Sequence, residues 1–134
     1  MDDIAEVLGP GGRLSRALPG YEHRPEQLTL AREVARAFDE RRMLVAEAGT
    51  GTGKTLAYLV PAILSGRRVV VSTATKNLQD QLFHKDLPLV RDTLGLPVRA
   101  TLVKGRANSL CLHRLERARI RRESVGHSVK RLPR

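Results

Sequence analysis

The chain has a single cysteine, Cys111, no tryptophan, and only two tyrosines and two phenylalanines among its 134 residues. One cysteine excludes an internal disulfide and fits a reducing compartment. An aromatic share of 3% leaves the core to Leu, Val, Ile and Ala. Long apolar runs are missing too. The longest mostly apolar segment, LAYLVPAIL, is interrupted by Pro61 and falls far short of the ~20 residues that span a bilayer. The opening MDDIAEVL is acidic and lacks the basic-then-apolar order of a secretory leader. A soluble, cytoplasmic protein with no membrane association is expected. The hydrophobic share of 41% is too high for wholesale disorder. The length suits one domain that buries roughly two-thirds of its unfolded surface.

Acidic residues are scarce in the last third. Residues 1–98 hold 13 Lys/Arg against 12 Asp/Glu, and residues 99–134 hold 11 against 2, so the net charge of +10 lies almost wholly at the C-terminal end. Such asymmetry points to an anionic partner, nucleic acid first. It is equally what a solvated basic helix carries. On the first reading, Arg114, Arg117, Arg119, Arg121 and Arg122 form the contact surface.

Gly/Pro pairs in GPGG, LPG and RPE make residues 9–25 a predicted loop. Pro25 suits the first turn of a helix, and Leu28, Ala31, Ala35 and Phe38 follow at helical spacing to about Glu40. The apolar run at 43–46 predicts a buried strand. A helix is expected over 54–64, bent or ended near Pro61. VVVSTA (69–74) predicts a second strand, and 98–103 a third. Between these two strands, one helix over 76–87 should stop before Pro88, and a short one over 88–94 should end at Gly95. A basic helix spans 110–123, and the tail has no clear period. Alternation of this kind predicts an α/β fold, a parallel sheet flanked by helices.

The densest signal is EAGTGTGKT, residues 47–55, directly after the first predicted strand. The phosphate-loop pattern G-x-x-x-x-G-K-[ST] is met in its last three positions, with Ala48 in place of the first glycine. Gly49, Gly51 and Gly53 permit tight turns that aim backbone N–H groups at an anion. The helix that follows adds its unsatisfied N–H groups and the positive end of its dipole. Lys54 would bring a charge to the β- and γ-phosphates, and the Thr55 hydroxyl would bind Mg²⁺. A turn that merely joins strand to helix rarely needs three glycines, a lysine and a hydroxyl at this spacing.

AGTGTGKT resembles motif I of superfamily 2 helicases. YEHRPEQ, residues 21–27, is similar to the adenine-reading Q element of one branch of that superfamily. VVVSTATKNLQDQL resembles motif Ia. LVKGRANSLCLHRL looks like the start of the iron–sulfur insertion in the DinG branch of XPD-like DNA helicases, with Cys111 at the first cluster cysteine and Ser109 where an aromatic residue usually stands. The four elements occur in the family's order over about residues 21–123.

The resemblance implies a P-loop NTPase (RecA-like) motor domain, incomplete, that uses ATP and Mg²⁺ to translocate 5′ to 3′ on single-stranded DNA as a monomer. It places nucleotide contacts on Arg24, Gln27, Ala48, Gly49, Thr50, Gly51, Thr52, Gly53, Lys54 and Thr55. DNA contacts fall on Thr73, Thr75, Lys76, Gln79 and Gln81. Cys111 would be one ligand of a [4Fe–4S] cluster held by the intact protein only. Residues 1–20 would be a lead-in, 21–109 the first part of the ATP-binding domain, and 110–134 the start of the insertion with a basic tail. Read without the family, Gln27 also suits a helix surface, Thr75 an N-cap, and Cys111 a small buried hydrophobe.

Some expected parts are missing from these 134 residues. There is no D-E-A-H segment, no arginine from a second motor domain, and no further cysteine. Asp39–Glu40 and Asp80–Gln81 sit outside any apolar strand end and do not replace the absent acid. The chain is therefore expected to be the N-terminal part of a longer helicase. The rival readings are a non-catalytic nucleic-acid-binding module and another P-loop ATPase, such as a loader.

Overall fold

The computed structural model describes residues 3–49, 51–105, 108 and 110–124, with the side chains of 121–124 excepted. It comprises one compact unit through Ala100 and a second from Thr101 onward.

In the first unit, α1 (Asp3–Leu8) places Ile4, Val7 and Leu8 on one buried face, the i, i+3, i+4 spacing of an amphipathic helix. A second short helix, α2 (Arg13–Ala17), buries Leu14. The loop expected over 9–25 is thus corrected. Gly9 closes α1 through a bond from its amide to the Ala5 carbonyl at 2.9 Å, and the Gly/Pro residues separate two helices. Helices this short are unstable alone; burial of Leu8 and Leu14 in the core holds them.

The helix α3 runs over Pro25–Glu40, as predicted, and stops at Arg41, which adopts the left-handed conformation with φ 52°. Its neighbour α4, Lys54–Leu64, buries Ala57, Leu59, Val60, Pro61 and Ala62. Pro61 stands inside α4 rather than at its end. The ring removes one donor, but the turn closes beyond it through Ser65, whose amide reaches the Pro61 carbonyl at 2.9 Å. Helices α3 and α4 pack together, and α1 packs on both.

The next helical stretch is continuous: α5 (Lys76–Gln81), a π-helical turn (Leu82–Asp86) and α6 (Leu87–Leu94). The stop expected before Pro88 does not occur. The Leu87 amide bonds five residues back to the Leu82 carbonyl, and this wider turn sets Pro88 in the first turn of α6, where a missing donor is tolerated. Gly95 ends α6 at φ 66°. Val90 and Leu94 carry α6 into the core against α2 and α4.

No strand is formed among the described residues. The segments at 43–46, 69–74 and 98–103 are non-helical, as expected, but carry no ladder. Met43, Val45 and Val70 are 90%, 89% and 91% exposed. The reason is general: an apolar extended run becomes a strand only when a neighbour pairs with its backbone, and none of the described segments does so. The parallel sheet read from the sequence is therefore not built by these residues.

In the second unit, α7 (Leu112–Ser124) starts two residues later than expected and exposes Leu112, Leu115 and Ile120. Cys111 is exposed, which removes the buried-hydrophobe reading. Among the described residues, no helix is long and apolar enough to cross a membrane.

Candidate functional site

The loop between the non-helical run at 43–46 and α4 folds around its lysine. Lys54 Nζ donates to the carbonyls of Ala48 and Gly49, both at 2.6 Å. Gly51 and Gly53 have φ of 80° and 75°, the left-handed region that glycine enters without strain. Gly53 is the N-cap of α4 and has no side-chain cap. Its carbonyl accepts the first intrahelical bond, from Ala57 N–H at 3.2 Å. Thr52 Oγ1 donates to the Gly49 carbonyl at 2.9 Å, closing the turn from inside. Thr50 lies outside the described residues.

Two residues at the start of α3 hold this loop from behind. Arg24 Nη1 donates to the Gly51 carbonyl. Gln27 Nε2 donates to the Gly53 carbonyl at 3.0 Å, and Tyr21 Oη donates to Gln27 Oε1 at 2.5 Å. Gln27 is 3% exposed, the buried polar residue of the core, so the surface-helix reading is set aside. Burial raises the Tyr21 hydroxyl above its ordinary value of 10, although the Arg24 charge pulls the other way. Tyr21 stays protonated and able to donate well beyond neutral pH. The sequence reading gave it no role, although a tyrosine six residues before a glutamine within an otherwise polar stretch was visible.

Arg24, Gln27, Gly51, Gly53 and Lys54 are thereby brought together, and the DNA-contact candidates lie close by. A cavity of about 460 Å³ has Lys54, Thr55, Thr73 and Gln81 on its wall together with Tyr58 and Asp86. Thr73 Oγ1 donates to the Thr75 carbonyl at 3.2 Å, and Thr75 Oγ1 accepts from Leu78 N–H at 3.2 Å. Thr75 is therefore an N-cap, as its residue type suggests. Lys76 and Gln79, one turn apart at the start of α5, are not on the cavity wall. Burial raises the Tyr58 hydroxyl above 10; a hydrogen bond with Thr55 opposes the rise and the Asp86 charge adds to it. Tyr58 and Asp86 are site neighbours that the sequence reading missed, since their spacing from Thr55 marks them only as helix residues.

Among the described residues, no group of three or more His, Cys, Asp or Glu is arranged to hold a metal ion. Cys111 offers one thiolate, whereas a [4Fe–4S] cluster takes four. The residues present do not fit that cluster by themselves.

A family model described as DEAD/DEAH box helicase matches residues 27–122. The chain is 48% identical over 115 residues to the ATP-dependent DNA helicase YoaA of Haemophilus influenzae, a match covering 86% of this chain and 18% of that one. It is 44% identical over 107 residues to a Bacillus subtilis protein named 3′-5′ exonuclease DinG, covering 77% and 12%. It is 50% identical over 107 residues to the ATP-dependent helicase DinG of Mycobacterium tuberculosis, covering 74% and 16%. The chain thus spans no more than 18% of the length of these curated relatives. No solved structure matches it.

Proposed function

Because the chain belongs to the DEAD/DEAH box helicase family, with the P-loop NTPase fold that this implies, we propose that it carries the nucleotide-binding elements of an ATP-dependent DNA helicase of the DinG type. The observation that carries the reading is the loop itself. Two left-handed glycines lead directly into the N-terminus of α4, and the Lys54 ammonium is folded back onto the same loop. Glycine turns, a helix N-terminus and a lysine within one short segment favour phosphate. Residues 21–109 are then the first part of the motor domain. The segments at 43–46, 69–74 and 98–103, which form no ladder among the described residues, would pair as strands of a RecA-like sheet in the whole protein, and the exposure of Met43, Val45 and Val70 supports that assignment.

In this mechanism Lys54 leaves the Ala48 and Gly49 carbonyls and neutralises the β- and γ-phosphates. Thr55 would hold Mg²⁺ through its hydroxyl, and the ion would supply charge neutralisation at the phosphates. Gln27 keeps one N–H and one lone pair beyond its two bonds, the complement of an adenine N7/N6 edge. Thr73, Thr75, Lys76, Gln79 and Gln81 contact the backbone of single-stranded DNA. Placing Thr73 and Gln81 on one cavity wall with Thr55 gives a short route between nucleotide and DNA. In the whole protein, hydrolysis would drive 5′-to-3′ translocation of a cytoplasmic monomer, and Cys111 would be one ligand of a [4Fe–4S] cluster in an insertion that begins at residue 110.

Titration calorimetry of the chain with Mg·ATP and Mg·GTP tests the reading. Saturable ATP binding that exceeds GTP binding is expected; absence of binding to either would refute it. The exposed arginines of α7 favour one second reading, a plain nucleic-acid-binding module. Such a module would hold DNA equally well with and without nucleotide.

A further inference from the structure

The contact between Tyr21 and Gln27 serves neither the core nor the nucleotide directly. Gln27 is almost fully buried, and both ends of its amide are in use. A side-chain amide has two orientations, and its neighbours decide between them. The Gly53 carbonyl can only accept, so it takes Nε2. Oε1 then faces Tyr21, whose hydroxyl must donate. Each bond favours the same orientation of the amide, and the two together hold it from both ends.

The Gly53 carbonyl is also a sensitive place to hold. It closes the first turn of α4 by accepting from Ala57 N–H, and it belongs to a left-handed residue within the phosphate loop. A Cβ on residue 53 would run into Gln27 Nε2. A side chain at 53 would therefore displace the Gln27 amide, besides straining the left-handed backbone. A hydrogen-bonded chain runs from Tyr21 through Gln27 to the loop.

We infer that Tyr21 is a positioning residue for the phosphate loop: its hydroxyl fixes the Gln27 amide, which holds the Gly53 carbonyl and with it the N-terminus of α4. The inference rests on the nucleotide reading above but concerns the loop and not the base. Its ring packs against the core, so Tyr21→Phe keeps the packing and removes only the donor.

The test measures Mg·ATP and Mg·tripolyphosphate, which has no base to read, against the unsubstituted chain, Tyr21→Phe, Gln27→Ala and the double variant. Tyr21→Phe should weaken both ligands by the same factor, about two- to tenfold for one lost hydrogen bond. The double variant should bind no worse than Gln27→Ala, because Tyr21 acts only through Gln27. An unchanged tripolyphosphate affinity, or losses that add in the double variant, would overturn the inference. Amide exchange on the nucleotide-free chain supplies a second readout. Ala57 N–H should exchange faster in Tyr21→Phe, and the Gln27 side-chain amide should be protected in the unsubstituted chain. If that chain binds neither ligand, the nucleotide reading has failed, and exchange still decides the relay: equal rates at Ala57 would refute it.

Discussion

Lys54 Nζ lies 2.6 Å from the carbonyl oxygen of Ala48, so the cation of the loop is bonded to the loop's own backbone. Its second bond, to Gly49, leaves one of three N–H donors free. Phosphate binding is then an exchange of two neutral acceptors for anionic ones. Lys54→Ala removes the charge while leaving the glycine turns. A charge-assisted bond is worth about 1.5–3 kcal/mol, so ATP affinity should fall about ten- to a hundredfold by calorimetry. Unchanged affinity in a folded variant would show that phosphate sits elsewhere.

Gly51 and Gly53 share a backbone angle but differ in surroundings, and that difference is testable. An L-residue in the left-handed region costs roughly 1–2 kcal/mol. Alanine at 51 meets open space and should cost no more than that. Alanine at 53 collides with Gln27 Nε2 and breaks the hold on α4. Thermal melts should place Gly53→Ala several degrees below Gly51→Ala. Equal melting temperatures would mean that Gln27 yields without cost.

Why were some of these features legible in the sequence while others were not? The bounds of α3 and α4 were readable because local signals set them: Pro25 in a first turn, Gly53 before Lys54, apolar residues at helical spacing. The glycine turns at 51 and 53 were legible for the same reason, since these glycines act on their own backbone. Features that depend on distant partners were not. Helix α1 does carry amphipathic spacing in Ile4, Val7 and Leu8, but it and α2 are too short to stand alone and exist through burial of Leu8 and Leu14 in the core. The passage through Pro88 depends on the π turn over Leu82–Asp86 just before it. The predicted strands illustrate the same limit, because 43–46 and 69–74 have strand composition but no described segment to pair with. Tyr21 sits six residues from Gln27 in sequence, yet only the fold of the segment before α3 brings the two side chains together.

The two tyrosines give a spectroscopic check. Burial raises both Tyr21 and Tyr58 above 10, so the midpoint of phenolate absorbance should lie above that pH in the folded chain. The unfolded chain ionises first, near 10. Stability from these groups is therefore complete below pH 10 and declines as pH rises through the raised folded values. Denaturant midpoints measured at pH 9 and above should fall with that onset. Tyr21→Phe should remove half of the ultraviolet signal and leave a single high-pH transition. A tyrosine ionising at or below 10 in the folded chain would contradict the burial that carries this prediction.

Arg114 and Arg117 lie three residues apart on α7, one helical face, and both are exposed. If they contact phosphates, each contributes about 0.9 to the log–log salt slope on duplex DNA and about 0.7 on single strands. Replacing both by alanine should flatten the slope for single strands by about 1.4 by that rule. A slope unaltered by the double substitution would return these arginines to a solvated helix.

Nucleotide binding and nucleotide hydrolysis need different groups, and the chain separates them. On the proposed reading, binding rests on the glycine turns, Lys54 and the start of α4, which lie together in the described residues. Hydrolysis requires an acid to complete the Mg²⁺ site and orient water, and a positive charge facing the leaving phosphate from the other side. An arginine supplied in trans is worth about 10³–10⁵ in rate by itself. Among the described residues no acidic cluster suited to a metal is present, and Asp86 stands alone on the cavity wall. The purified chain should therefore bind Mg·ATP with turnover close to that of free ATP, and it should not unwind DNA. Iron and sulfide should leave it colourless as well, because Cys111 is the sole thiol. Phosphate release measured with and without DNA decides the matter. DNA-stimulated release that disappears in Lys54→Ala would mean that an acid within these residues, Asp86 first, completes the site.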